Sequence, residues 1–284
     1  MSKIQNNWTE TIESSNSIFN INLRELLEYK DLLLMFVKRD FAATYKQTIL
    51  GPLWFFIQPI LTTLIFTIVF GKFANLKTDV EPKFLFYFSG VVIWNYFSDC
   101  FIKTSTVFKD NAQLFGKVFF PRLIMPLSIV ISSLIKFSIQ FILFIAFVVY
   151  YSLQNHSQIH PNFFIMFTPI YLLLMAGLAF GGGLIIAALT TKYRDLSFLV
   201  SFGVQLLMYA TPIIYSSKSL NSSIKIYAQI NPLSSIVESF RTSFLGGTNI
   251  EVNSLLYSLI FMLVIVFCGI LLFNKVQQKF IDTV

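Results

Sequence analysis

Six apolar runs punctuate this chain, at about residues 53–73, 84–102, 123–151, 163–190, 196–215 and 255–273. A helix that crosses a bilayer needs about 20 mostly apolar residues, and each run comes close to supplying them. The pattern predicts an all-α integral membrane protein with six transmembrane helices. Pro59 falls inside the first run, where a membrane helix tolerates proline and kinks. The third run is long, which predicts a tilted helix or one that projects beyond the bilayer.

Residues 1–22, rich in Asn, Ser, Thr and Glu, predict a flexible cytoplasmic tail without the apolar core of a secretory signal. Residues 23–50 read differently. Leu23, Leu26, Leu27, Leu33, Leu34, Val37 and Phe41 recur at roughly helical spacing among Arg24, Glu25, Glu28, Lys30, Asp31, Lys38, Arg39, Asp40 and Lys46. So many charges make a span implausible and predict an amphipathic helix at the membrane interface, with a plain soluble helix as the alternative. Residues 51–284 then form the transmembrane domain.

Residues 216–253, between the fifth and sixth runs, carry Ile224, Ile226, Tyr227, Ile230, Leu233, Ile236, Val237, Phe240 and Phe244 where a polar loop would be expected. The segment is too short and too polar for two spans. Asn231-Pro232 divides it and Gly246-Gly247 closes it. It predicts two short helices before the last span, either re-entrant from the outer side or lying on the outer surface.

Composition agrees with a membrane protein. Of 284 residues 55% are apolar and 12% charged, too greasy to cover the surface of a soluble fold. The net charge of +7 sits between the apolar runs, an arrangement that suits anionic lipid head groups better than nucleic acid. Fourteen Lys and Arg fall in the amino-terminal region, residues 103–122, residues 191–195 and the carboxyl-terminal tail. Six fall in the alternate segments: Lys72, Lys77, Lys83, Lys218, Lys225 and Arg241. This asymmetry predicts cytoplasmic termini. Cys100 and Cys268 lie inside apolar runs and define no disulfide framework.

The sequence carries few candidates for catalytic groups. The chain has no G-x-x-x-x-G-K-[ST] loop and so no ATP site of that kind. His156 and His160 stand four apart without an acidic or cysteine partner nearby, and no metal site is predicted. Lys136 lies near the middle of the third run, where a charge is costly. Either it faces a polar conduit, or it is satisfied by Ser132, Ser133, Ser138 or Gln140 or by snorkelling. Asp99 lies near the cytoplasmic end of the second run, within reach of water. The chain holds 33 Phe, 12 Tyr and 3 Trp. Lipid contact and interfacial belts account for most of them, and Trp54, Phe55, Trp94, Tyr96 and Phe97 are candidates for a conduit wall along which sugar rings slide. Gly177, Gly181, Gly182 and Gly183 permit close helix packing, with a hinge as the alternative.

Four stretches together resemble one family. Arg39-Asp40-Phe41-Ala42-Ala43-Thr44-Tyr45-Lys46-Gln47-Thr48-Ile49-Leu50-Gly51-Pro52-Leu53-Trp54, followed by Gln58-Pro59, is similar to the opening segment of ABC type-2 polysaccharide and polyol-phosphate exporter permeases. Thr44 departs from that pattern, which places a basic residue there. Phe115-Gly116-Lys117-Val118-Phe119-Phe120-Pro121-Arg122 resembles the family's segment before the third span. Lys192-Tyr193-Arg194-Asp195-Leu196 resembles its turn after the fourth, and Asn231-Pro232 with Phe240-Arg241 its external element before the sixth.

The resemblance implies the membrane subunit of an ATP-driven exporter, not an enzyme. It implies a homodimer in the bacterial inner membrane, with two copies of a separate ABC ATPase that carries ATP and Mg. Lys109, Asp110 and Lys117, with Tyr193, Arg194 and Asp195, would couple the ATPase to the spans. Arg39, Asp40 and Lys46 would lie where an undecaprenyl-linked, O-antigen-like glycan enters. Its diphosphate would meet Arg39, Lys46 or, along the conduit, Lys136. Asn231, Pro232, Phe240 and Arg241 would form an external gate. The competing readings are a permease for a small lipophilic drug or lipid, and a membrane glycosyltransferase. The glycosyltransferase needs paired carboxylates, whereas Asp40, Asp110 and Asp195 are scattered and each adjoins a basic residue.

Overall fold

The computed structural model describes residues 23–45, 51–115, 117–118, 120–154, 159–193, 195–247 and 250–280. The tail 1–22, Lys46, residues 47–50, His156 and Arg194 lie outside the described residues. The regular elements among the described residues are all helical. They are α1 (Leu23–Glu28), α2 (Lys30–Tyr45), α3 (Trp54–Phe66), α4 (Lys83–Ser105), α5 (Val107–Asp110) and α6 (Ala112–Phe115). Then follow α7 (Ile124–Ser152), α8 (Thr168–Thr190), α9 (Leu196–Ala210), α10 (Ser222–Ile230), α11 (Pro232–Leu245) and α12 (Val252–Phe280). The turn Gly51–Leu53 opens α3, and the π-helical stretch Thr67–Phe73 prolongs it. The 3-10 turn Phe163–Phe167 opens α8.

Five of these helices are long and apolar enough to cross a membrane: Gly51–Phe73, Lys83–Ser105, Ile124–Ser152, Phe163–Thr190 and Val252–Gln277. The fifth apolar run departs from expectation. Its helix α9 stops at Ala210 after 15 residues. At 1.5 Å per residue that is about 22 Å, short of roughly 30 Å of hydrocarbon. Thr211 is already extended (φ −100°, ψ 142°), and Pro212 has no N–H with which to continue the ladder. The carbonyls of Pro212 and Ile213 instead accept hydrogen bonds from Arg241 at 3.0 and 3.1 Å.

Helix α4 is the centre of the bundle, with 72% of its apolar window buried against 22% for α3 and 17% for α12. It packs on α7 and α8, and α8 packs on α12. Backbone proximity there is set by small residues. A Cβ on Gly181 would sit 2.6 Å from Ile265 Cγ2 and 2.7 Å from the Val266 nitrogen, and one on Gly183 would sit 2.7 Å from Thr104 Cβ. Close packing is therefore what these glycines provide.

The long helices pack side by side, so the bundle has two distinct ends. One gathers the ends of α4 and α8, the start of α7 and the last turns of α12, with Lys103, Lys109, Lys117, Arg122 and Lys192, and is the basic end. The other, the far end, gathers the start of α4, the last turns of α7, and α10 and α11. Helix α2 lies against α7 at the basic end, burying Phe36 and Val37 on one side, with Phe36 and Phe120 ring centroids 5.6 Å apart. Its other side leaves Leu34 and Met35 exposed, as α1 leaves Leu27.

Candidate functional site

At the basic end the chain makes a sharp double bend. Helices α5 and α6 are one turn each. Their apolar side chains Val107, Phe108 and Phe115 are buried, while Lys109, Asp110 and Lys117 remain on the outer side. The buried side is an aromatic anchor: Phe108 stacks on Phe273 of α12 at 4.5 Å between centroids, and Phe115 lies 5.8 Å from Phe120. Arg122 completes it, donating to the Gln277 carbonyl at 3.0 Å with its guanidinium 5.5 Å over the Phe115 ring. Burial lowers the affinity of Arg122 for its proton below the ordinary arginine value. The bend is thus held to α12 from beneath while its charged top faces outward.

Three segments far apart in sequence meet on that top. Lys109 Nζ donates to Ser197 Oγ of α9 at 3.4 Å and sits 5.7 Å from the Phe198 ring. Arg39 of α2 donates to Asn111 Oδ1 at 3.4 Å, while its main partner is neighbouring Asp40 at 2.7 Å. Asp110 accepts from Thr106 Oγ1 at 2.6 Å, which braces the start of the bend. Beneath them Thr190 Oγ1 donates to the Ser105 carbonyl at 2.8 Å, tying the end of α8 to the end of α4. Tyr193 is half exposed with Lys192 Nζ 5.2 Å from its ring, and Asp195 is exposed at the start of α9. Asn111 and Ser197 were not singled out from the sequence. No local pattern marks them, because they matter only as the far ends of bridges.

Lys136 has a partner that the sequence reading did not assign. Its Nζ on α7 lies 2.6 Å from Asp99 Oδ2 on α4. The side chains are 22% and 28% exposed, so the pair sits at the edge of the bundle and not in its core. The available signal was that Asp99 is the one acidic residue in the second apolar run. Of the aromatic candidates, Phe55, Trp94, Tyr96 and Phe97 are buried within the single chain, and Trp54 is half exposed.

At the far end the four predicted gate residues fall on one element. Asn231 caps α11, its Oδ1 accepting from the Leu233 nitrogen at 3.1 Å, and its Nδ2 donates to Thr211 Oγ1 at 3.0 Å. Pro232 occupies the first turn, where its missing N–H costs nothing. Phe240 packs between Phe144 and Phe244 at 5.8 and 4.9 Å. Arg241 is 4% exposed and carries its guanidinium 3.7 Å over the Phe86 ring. Besides the Pro212 and Ile213 carbonyls it reaches Ser89 Oγ at 3.3 Å. It thereby fastens α11 to α4 and to the broken end of α9 in one step.

The family model described as ABC-2 type transporter matches residues 31–245. The O-antigen export system permease protein RfbA of Klebsiella pneumoniae is 30% identical over 253 residues, covering 89% of this chain and 94% of that protein. A second Klebsiella pneumoniae protein of that name is 28% identical over the same length. The RfbA permease of Myxococcus xanthus is 25% identical over 264 residues, covering 92% of this chain and 98% of its own.

Proposed function

This chain belongs to the ABC-2 type transporter family, and we propose that it is the permease half of an exporter that moves a lipid-linked, O-antigen-like polysaccharide across the bacterial inner membrane. Permeases of this family are membrane subunits whose ATPase is a separate subunit. The full transporter is a homodimer of this chain with two ATPase copies, and its two ends correspond to the two sides of the membrane. The basic end and both termini face the cytoplasm. Helix α9, short as it is, serves with residues 211–215 as the sixth crossing, and α10 and α11 gate the outer side.

The observation that carries this reading is the convergence at the basic end. A soluble motor can move a bundle only through rigid elements that it can grip. The α5–α6 bend, stacked on α12 through Phe108 and bridged to α9 by Lys109, is such an element. Lys109, Asp110 and Lys117, with Tyr193, Arg194 and Asp195, form the face on which the ATPase presses. Movement of that face is passed at once to α4, α9 and α12. Helix α2, apolar on two sides and carrying Arg39 and Asp40, lies at the inner interface where the lipid carrier approaches. Its diphosphate meets Arg39, Lys46 or the Lys136–Asp99 pair on the way into the conduit.

The test is surface polymer in cells whose sole copy carries Arg39→Ala, Lys46→Ala or Lys136→Ala. At least one variant is expected to lose most of its surface polymer while remaining in the membrane at normal level. Normal polymer in all three would sink the substrate path.

A further inference from the structure

At the far end, between the loop before α4, the turn after α9, and α10, α11 and the start of α12, lies a polar cleft of about 90 Å³. It is separate from the aromatic packing of Phe240 and from the Lys136–Asp99 pair. A water needs about 10–15 Å³ of such space, so the cleft holds on the order of six waters, the scale of one sugar ring and not of a chain or a lipid tail.

The lining is specific in its chemistry. Its charges balance: Asp79, Glu238 and Glu251 against Lys218, Lys225 and Arg241. Between them stand hydroxyl and amide groups, with Ala228 and Ile250 as the apolar members. The carboxylates are fixed by the fold. Asp79 accepts from Ser216 Oγ, Glu238 from the Ser217 nitrogen at 3.2 Å, and Glu251 from Ser254 Oγ at 2.9 Å. Each carboxylate retains acceptor capacity beyond these bonds. Most telling is Ser234, which lines the cleft, is 4% exposed, and has a buried Oγ without a hydrogen-bond partner. An unpaired buried hydroxyl is costly, and a hydroxyl-bearing ligand in the cleft would supply its partner.

We infer that this cleft binds one neutral pyranose residue at the far face of the protein. A pyranose carries adjacent hydroxyls that donate and accept together. Fixed carboxylates, the Lys218, Lys225 and Arg241 donors, an amide and an unsatisfied serine in a site of no net charge match that better than they match an anion, a cation or a lipid chain. The inference deepens the exporter reading and rests on it for the source of the sugar, which is the emerging glycan. The cleft then gives the polymer a foothold on the outer side and disfavours its slipping back.

The test uses the purified full-length chain in lipid nanodiscs, without ATPase or lipid carrier. Methyl glycosides of glucose, galactose and mannose serve as probes, with anionic methyl glucuronide and cationic choline as charged controls. Saturation-transfer NMR is expected to show ring-proton contact for at least one neutral glycoside and none for the controls. Ser234→Ala and Gln229→Ala each weaken that binding about three- to tenfold, the scale of one lost hydrogen bond. Ser234→Ala melts no lower than the parent, because the lost hydroxyl had no partner in the free protein. No contact from any neutral glycoside, preferential contact from either control, or unchanged affinity in both variants would overturn the inference. Binding is read apart from export. Absent binding with normal export refutes the cleft alone, and intact binding with absent export refutes the exporter reading alone.

Discussion

Lys136 on α7 and Asp99 on α4 form an ion pair of 2.6 Å at the edge of the bundle, joining the two helices from side chains 37 residues apart. Either charge alone in an apolar setting would be costly, and together they neutralise one another. Breaking a wholly buried pair costs about 3–5 kcal/mol, and solvent reach lowers that here to roughly 2 kcal/mol. Asp99→Ala is expected to lower the melting temperature of the purified chain. The double variant Asp99→Leu with Lys136→Met is expected to recover most of the loss. Thermal unfolding in nanodiscs measures both, and a double variant no better than the single one would show that the pair does not act as a unit.

Arg241 is the second joint. Its loss leaves the Pro212 and Ile213 carbonyls without their donor and strips the Phe86 face. Arg241→Ala is expected to cost about 3–5 kcal/mol, the scale of breaking a buried charged network. Arg241→Lys should recover little, because an ammonium lacks the planar fork that reaches two carbonyls while stacked on a ring. Yield of folded protein and melting temperature are the readouts. Full recovery by lysine would mean that charge alone matters at this position.

The seam of α8 and α12 is predicted to be intolerant of any side chain. A Cβ at Gly181 meets Ile265 and the Val266 backbone nitrogen, and one at Gly269 would lie 2.5 Å from the Gly181 carbonyl oxygen. Neither backbone can yield cheaply. Gly181→Ala is expected to destabilise by about 1–3 kcal/mol, as overpacking does. Gly203→Ala is the control, since a Cβ there meets nothing within 4 Å. Equal melting of the two variants would contradict the packing account.

At the basic end, anchor and grip are predicted to separate. Lys109→Glu changes the outer face and should lower ATPase stimulation severalfold with little change in the chain's own melting. Phe108→Ala removes the stack on Phe273 and should cost about 3–5 kcal/mol of stability. Co-purification with the ATPase, hydrolysis rate and thermal unfolding distinguish them. A Lys109→Glu variant that stimulates the ATPase normally would remove Lys109 from the coupling face.

Much of this architecture was legible in the sequence, because a lipid solvent leaves a one-dimensional trace. Long apolar runs marked the helices, and Asn231-Pro232 with Gly246-Gly247 marked the ends of α11, where Gly246 and Gly247 take φ of 105° and 145°. The early stop of α9 was written in Pro212, but hydropathy weighs a proline lightly, so the run read as a helix to Tyr215. What the sequence withheld is pairing across helices. That Lys136 meets Asp99, Lys109 meets Ser197 and Arg39 meets Asn111 depends on the relative height and rotation of packed helices, which no local spacing encodes. Likewise Trp94, Tyr96 and Phe97 suit a conduit wall by residue type, yet the position of α4 at the bundle centre buries all three.

On the proposed function, this chain, driven by a separate ATPase, carries a lipid-linked glycan across a membrane. The most direct measurement reconstitutes the chain with its ATPase in sealed vesicles loaded with lipid-linked polysaccharide on the ATPase side. A glycan-specific probe on the opposite side then follows translocation. The account predicts ATP-dependent appearance of polymer there, abolished when the permease carries Lys109→Glu together with Lys117→Glu. ATP hydrolysis at the normal rate with no polymer crossing would contradict it.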